Sequence, residues 1–337
     1  MATSLLHQLR SLLLIDVDSM DMRISQRHTS DTEKFQDMTS NKALAYNEII
    51  RPENAELVRQ TINFIRDKDL DQDSDTFEMD VIDTLMILLA KKVLPYLNEN
   101  VHVQTSPSVA YDTEKTIAHA KKLVALFEEY VGVGRNRVCI KIPATPESML
   151  ACQYLHKIGI QTLATCLFSL PQALAASQAG CKYVAPYFNE LRVHFDKEVW
   201  KEYSNPAQEH PMSTVILSVI ATFREIKSQT QVIPASIVTI DEIIALASFQ
   251  PAHITVSGPL LDQLSSLPAV NEIKPTSLPA FSVANNPLIG EDYLADGGSR
   301  LRDAIAADPE VQRKLTDALV IFGDCERKTK EFLSAVL

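Results

Sequence analysis

Massed positive charge is what this sequence most plainly lacks. Lys and Arg number 32 against 43 Asp and Glu, for a formal net charge of −11. Phosphate-backbone binding depends on clustered Lys and Arg, so no nucleic-acid partner is expected. Small anions, which need only two or three local cations, stay open. Cysteines are few: Cys139, Cys152, Cys166, Cys181 and Cys325 form no Cys-x-x-Cys pair and no metal-ligand spacing. Four of them sit in apolar runs, and they read as small core residues of a reduced, intracellular protein. Long apolar runs are missing too. The stretch from Leu12 to Ile15 runs into Asp16 and Asp18, and the one around Leu85 to Ala90 is flanked by Asp83 and Lys91, so no membrane span is expected. With no small-residue cleavage site near the start, a cytoplasmic protein is expected. The histidines, His102 and His194 included, lack an HxxxH spacing, so no metal is expected.

What the chain does have is an ordinary globular balance, 46% hydrophobic and 22% charged, enough for a sizeable core. Short apolar runs alternate with longer helical patterns. Candidate strands are Leu12–Asp16, Gln36–Thr39, Val101–Thr105, Val138–Pro143, Thr162–Leu167, Tyr183–Tyr187, Val232–Ser236 and Ile254–Ser257. Between them, Ile117, Ala120, Val124 and Phe127 recur at helical spacing opposite Lys121, Lys122 and Glu128. Eight strands separated mostly by helices predict an α/β chain, a (β/α)8 TIM barrel. Residues 47–100 leave room for two or three helices, 195–228 read as a helical insertion after the sixth strand, and 300–337 as C-terminal helices. No internal repeat or low-complexity linker divides the 337 residues, so one domain is expected.

In such a barrel, polar residues at the C-terminal ends of strands are the ones to examine. They are Asp16, Thr39, Asn41, Gln104, Lys141, Thr165, Tyr187 and Ser236. Lys141, inside Val-Cys-Ile-Lys-Ile-Pro, cannot easily reach water. Burial costs an ammonium ion heavily and favours the neutral amine, the form that attacks a carbonyl. A structural ion pair with Asp16 is the alternative. Asp16 itself is either a general acid/base or that counter-ion. Thr39, Asn41 and Ser236 also suit turns or caps, and Tyr187 suits a rim aromatic.

Residues 35–41, Phe-Gln-Asp-Met-Thr-Ser-Asn, with residues 136–145, Asn-Arg-Val-Cys-Ile-Lys-Ile-Pro-Ala-Thr, resemble the transaldolase family. The match continues through Gly159 to Thr165, Ala179-Gly180 and Tyr183 to Tyr187, with Leu13 to Asp16 fitting the first strand. The resemblance implies a Schiff-base lysine at Lys141, a catalytic aspartate at Asp16, no metal or organic cofactor, and a homodimer.

The departures from the family pattern matter more. Lys42 replaces a proline, and Leu163 an asparagine. Gln104 stands where transaldolases carry a proton-handling Glu; an amide holds water but cannot shuttle its proton. Gln104, Ala185 and Tyr187 together resemble the fructose-6-phosphate aldolase branch. Two phosphate-binding cations are replaced, by Glu190 and Val238, with Arg192 or Lys42 as candidate substitutes. Each lost charge-assisted contact is worth roughly 1.5–3 kcal/mol. The expectation is a class I aldolase or transaldolase-like enzyme acting on a small, non-phosphorylated carbonyl compound, which suits specialised metabolism. In that expectation Lys141 forms the imine, Asp16 moves protons, Gln104, Thr165 and Tyr187 position water, and Asn41, Thr39 and Ser236 orient substrate. The alternatives are an ordinary pentose-phosphate transaldolase and a catalytically silent barrel serving as a binding protein.

Overall fold

The computed structural model describes residues 4–68, 74–276 and 286–336. Eight parallel strands form one sheet: β1 (Leu14–Asp18), β2 (Met38–Thr39), β3 (Val101–Gln104), β4 (Val138–Pro143), β5 (Gln161–Leu167), β6 (Tyr183–Pro186), β7 (Gln231–Val232) and β8 (His253–Ser257). Their order, β7-β6-β5-β4-β3-β2-β1-β8, curls the sheet into a nearly closed α/β barrel. The strands read as unbroken apolar runs because helices cover the outside while the barrel fills its own interior; all six residues of β4 are buried. The barrel is latched between β7 and β8 by a long backbone contact, from Thr255 N–H to the Pro234 carbonyl at 3.4 Å, and by the side chains of His253 and Gln231, 2.9 Å apart. Pro234 has no N–H to continue the ladder, which is one reason β7 is so short.

Strand positions follow the sequence reading, with one shift that matters. The first strand, expected over Leu12–Asp16, runs two residues later. The N–H groups of Leu12 and Leu13 bond back to the Leu9 carbonyl at 2.9 and 3.0 Å, closing the helix Leu5–Arg10. Pairing with β8 therefore begins at Leu14 with His253 and ends at Asp18 with Ser257. Asp18, and not Asp16, ends the strand.

Asp16 lies deeper, in a polar plug across the N-terminal end of the barrel. Its carboxylate meets His253 Nδ1 at 3.0 and 3.1 Å and accepts from Asp37 N–H at 3.0 Å. Asp37 in turn meets His102 Nε2 at 2.7 Å and accepts from Asn100 N–H at 2.9 Å. The His102 ring stacks on Tyr183. These groups are buried and held by these bonds, while Asn100 Oδ1 and His102 Nδ1 have no hydrogen-bond partner among the described residues.

Extra helices surround the barrel. Residues 47–100 hold helices Ala55–Lys68 and Ser74–Val93, the insertion holds Pro211–Glu225, and the tail forms Ala295–Ala307 and the long Pro309–Val336. That last helix packs on Lys42–Ile49 beside the barrel mouth. Among the described residues, no helix is long and apolar enough to cross a membrane.

Candidate active site

The C-terminal ends of the strands enclose a cavity of about 210 Å³. β4 delivers Lys141 to it, β1 Asp18, and the segments after β6 and β7 deliver Tyr187 and Ser236. Asn41 lines it from the start of the helix Lys42–Ile49, where its Oδ1 caps Leu44 N–H at 2.9 Å. That cap satisfies one of the helix's unpaired amides and fixes the side chain in place. Leu44, Leu191, Phe195 and Ile237 make the apolar part of the wall, and His194 completes the mouth.

Lys141 is 2% exposed. Burial pushes its ammonium below the ordinary lysine range, opposed by the negative charge of Asp18. A buried amine with a single carboxylate facing it gives up its proton more readily than a solvated one, and the neutral form is the nucleophile. Asp18 is fixed by Thr39, whose Oγ1 donates to Oδ1 at 2.7 Å. On the other side Thr165 Oγ1 donates to Tyr187 Oη at 3.0 Å. Burial raises the Tyr187 phenol well above its ordinary range, so it stays protonated and can donate. The neighbouring Cys166 thiol is pushed up to about 12, again by burial.

Gln104 sits beside Lys141 in the β3–β4 register. It is fully buried, and neither polar atom of its amide has a hydrogen-bond partner among the described residues. An unpaired buried amide costs stability, and here it stands level with the nucleophile on the neighbouring strand.

The cavity thus brings together Lys141, Asn41, Tyr187 and Ser236, with Thr39, Thr165 and Gln104 one bond or one strand away. Five expected residues lie elsewhere. Asp16 belongs to the plug, where burial raises its carboxyl above the usual range against the pull of His253. Glu190 turns outward to pair with Arg313 of the long C-terminal helix at 2.7 Å, so it does not confront a ligand in the cavity. Val238 is off the cavity wall; its N–H donates to Glu242 at 2.7 Å, and Ile237 takes the wall position. Arg192 does not line the cavity. Lys42, the other candidate cation, is buried with its Nζ 3.1 Å from Glu326 and 3.9 Å from Asp83.

Asp18 and His194 are the residues that sequence reasoning underused. Asp18 shares a strand face with Asp16, since residues two apart point the same way. The helix cap formed by Asp21 on Arg23 N–H is the signal that the strand runs to Asp18. Nothing in the spacing of His194 marked it.

The family described as Transaldolase/Fructose-6-phosphate aldolase matches residues 15–301. A transaldolase of Marinomonas sp. (strain MWYL1) is 30% identical over 302 residues, covering 90% of this chain and 91% of the relative. One from Shewanella sp. (strain MR-4) is 27% identical over 336 residues, 98% of both. The chain belongs to the transaldolase/fructose-6-phosphate aldolase family, whose members are Schiff-base class I enzymes.

Proposed function

We propose that this protein makes or breaks a carbon–carbon bond through an imine on Lys141, acting on a carbonyl compound without a phosphate. The observation that carries the substrate half is the cavity wall. Among the described residues its only Lys or Arg is Lys141 itself, and its one carboxylate is Asp18. A phosphate would meet a lone amine whose charged form burial disfavours and a repelling carboxylate, with no guanidinium to grip it.

In this reading the neutral Lys141 Nζ attacks the ketone carbon, and loss of water gives the iminium. Asp18, taking the part expected of Asp16, accepts the proton of the β-hydroxyl. The C–C electron pair moves into the iminium, an aldehyde departs, and an enamine remains. Protonation of the enamine carbon and hydrolysis of the imine return the amine. Gln104, Tyr187 and Thr165 hold the water that supplies the proton, while Asn41 and Ser236 orient the substrate.

Borohydride reduction in the presence of hydroxyacetone should add one ketone-derived mass at Lys141, and none in Lys141→Met. No labelling from hydroxyacetone or any other member of a broad ketone panel would refute the imine. Asp18→Asn should lower turnover by about 10²–10⁴-fold, the usual worth of a general base. Asp16→Asn should mainly lower stability. The reverse ranking would return the role to Asp16.

A second reading is favoured by the names of the relatives, which are transaldolases. It is dihydroxyacetone transfer between sugar phosphates. Robust turnover of fructose 6-phosphate with erythrose 4-phosphate in a coupled assay would establish it and overturn the phosphate-free substrate.

A further inference from the structure

One pair at the cavity mouth joins Ser236, already proposed to orient the substrate, to a histidine that the imine chemistry leaves unassigned. His194 Nε2 lies 2.9 Å from Ser236 Oγ, and His194 Nδ1 has no hydrogen-bond partner among the described residues. Ser236 is held in a left-handed conformation, φ 61°, which a serine rarely adopts. Its carbonyl accepts from Asn189 twice, from the backbone N–H at 3.1 Å and from Nδ2 at 3.0 Å. Asn189 Nδ2 also donates to Glu242 at 2.9 Å, and Glu242 accepts from Trp200 Nε1 at 3.1 Å. A chain of bonds running back into the fold therefore over-determines a strained residue, and strain kept this way marks a functional position. Beside it, Phe195 is 55% exposed, an apolar ring left open at the mouth next to Leu191.

We infer that His194, braced by Ser236, is the specificity-determining residue that grips the far end of the substrate, an uncharged hydroxyl on an apolar skeleton. The inference rests on the imine reaction proposed above and adds the chemistry of the distal group. The Ser236–His194 bond can run either way: the hydroxyl donates to Nε2 when the imidazole proton is on Nδ1, or Nε2–H donates to Oγ and leaves Nδ1 to accept. The pair can therefore donate to or accept from a hydroxyl without carrying charge. Phe195, Leu191 and Leu44 cover the skeleton between that hydroxyl and the carbonyl held at Lys141. A phosphate at the same place would need cations that the pair does not supply.

The test is the rate of borohydride-dependent labelling at Lys141 by three ketones. They are the hydroxyacetone adducts of para-hydroxybenzaldehyde, of benzaldehyde, and of para-hydroxybenzaldehyde phosphate ester. The wild type should half-saturate at the lowest concentration with the free phenol, roughly tenfold below the deoxy compound, the worth of one neutral hydrogen bond. In His194→Phe, which keeps the ring and removes its nitrogens, that ratio should collapse toward one. His194→Arg should shift preference toward the phosphate ester. An unchanged ratio in His194→Phe would overturn the role of His194 while leaving the imine intact. Preference of the wild type for the phosphate ester, or labelling by none of the three, would overturn it together with the substrate or imine reading beneath it.

Discussion

At the scale of single residues, function and stability pull Lys141 in opposite directions. Its amine is useful because burial makes the charged form costly, and the folded protein carries that cost. The folded pKa lies below the ordinary value of about 10.4, so between the two the unfolded state binds more protons. Stability therefore rises with pH across that window, and the penalty is fully present below the folded value. Lys141→Met should be more stable than the wild type at neutral pH by about 1 kcal/mol, the size typical of relieving a strained active site. The advantage should shrink as pH approaches 10. Thermal unfolding of both proteins from pH 6 to 10 measures it; a variant no more stable at pH 6 would mean that burial of the amine is compensated elsewhere. Lys141 was legible as an odd residue because a charged side chain interrupts an apolar run. Asp18 was less legible because Asp16, two positions earlier, carries the same side chain to the same face. Only the backbone bonds of Leu12 and Leu13 to Leu9 decide which of them reaches the cavity.

At the scale of elements, the sequence announced its strands and most of its helices but not how the tail is fastened. Hydrophobic periodicity is local, and β4 was readable end to end. The fastening joins residues far apart in the chain. Lys42 at the start of Lys42–Ile49 pairs with Glu326 of the long C-terminal helix. Glu326 also accepts from Ser106 Oγ at 2.7 Å, and Asp83 binds Lys122 at 2.7 Å and His119 at 3.1 Å. No spacing rule reveals such a cluster, and Lys42 looked like a candidate anion ligand for that reason. Removing one member of a buried pair strands the other. Glu326→Gln, which keeps the Ser106 bond, should cost roughly 3 kcal/mol in urea unfolding. A loss below about 0.5 kcal/mol would show the pair to be no stronger than a surface one. Asn41 precedes Lys42, so the same contact secures the helix end that carries a cavity residue.

For the whole molecule, all five thiols are buried, on strands, helices and the turn before β6, spread from β4 to the C-terminal helix. Burial raises Cys139 and Cys152 well above the ordinary thiol range, and the thiolate is the reactive form. Native protein should therefore resist Ellman's reagent, and all five thiols should become reactive across one urea transition. A thiol that reacts ahead of the others would locate a part of the fold that opens on its own. The barrel itself has an uneven circumference. Seven ladders join its strands in order, while the last gap, between β7 and β8, is bridged by a long backbone bond from Thr255 to Pro234 and a side-chain bond between His253 and Gln231. Ser236 stands on one side of that gap and Thr255 and Ser257 on the other, all three facing the cavity, with Lys141 across the barrel on β4. The two lips of the gap set the gauge of the pocket, and they can be respaced without disturbing the ladders that hold the nucleophile. A lineage with this fold can retool what it admits while leaving the bond-making nitrogen where it is.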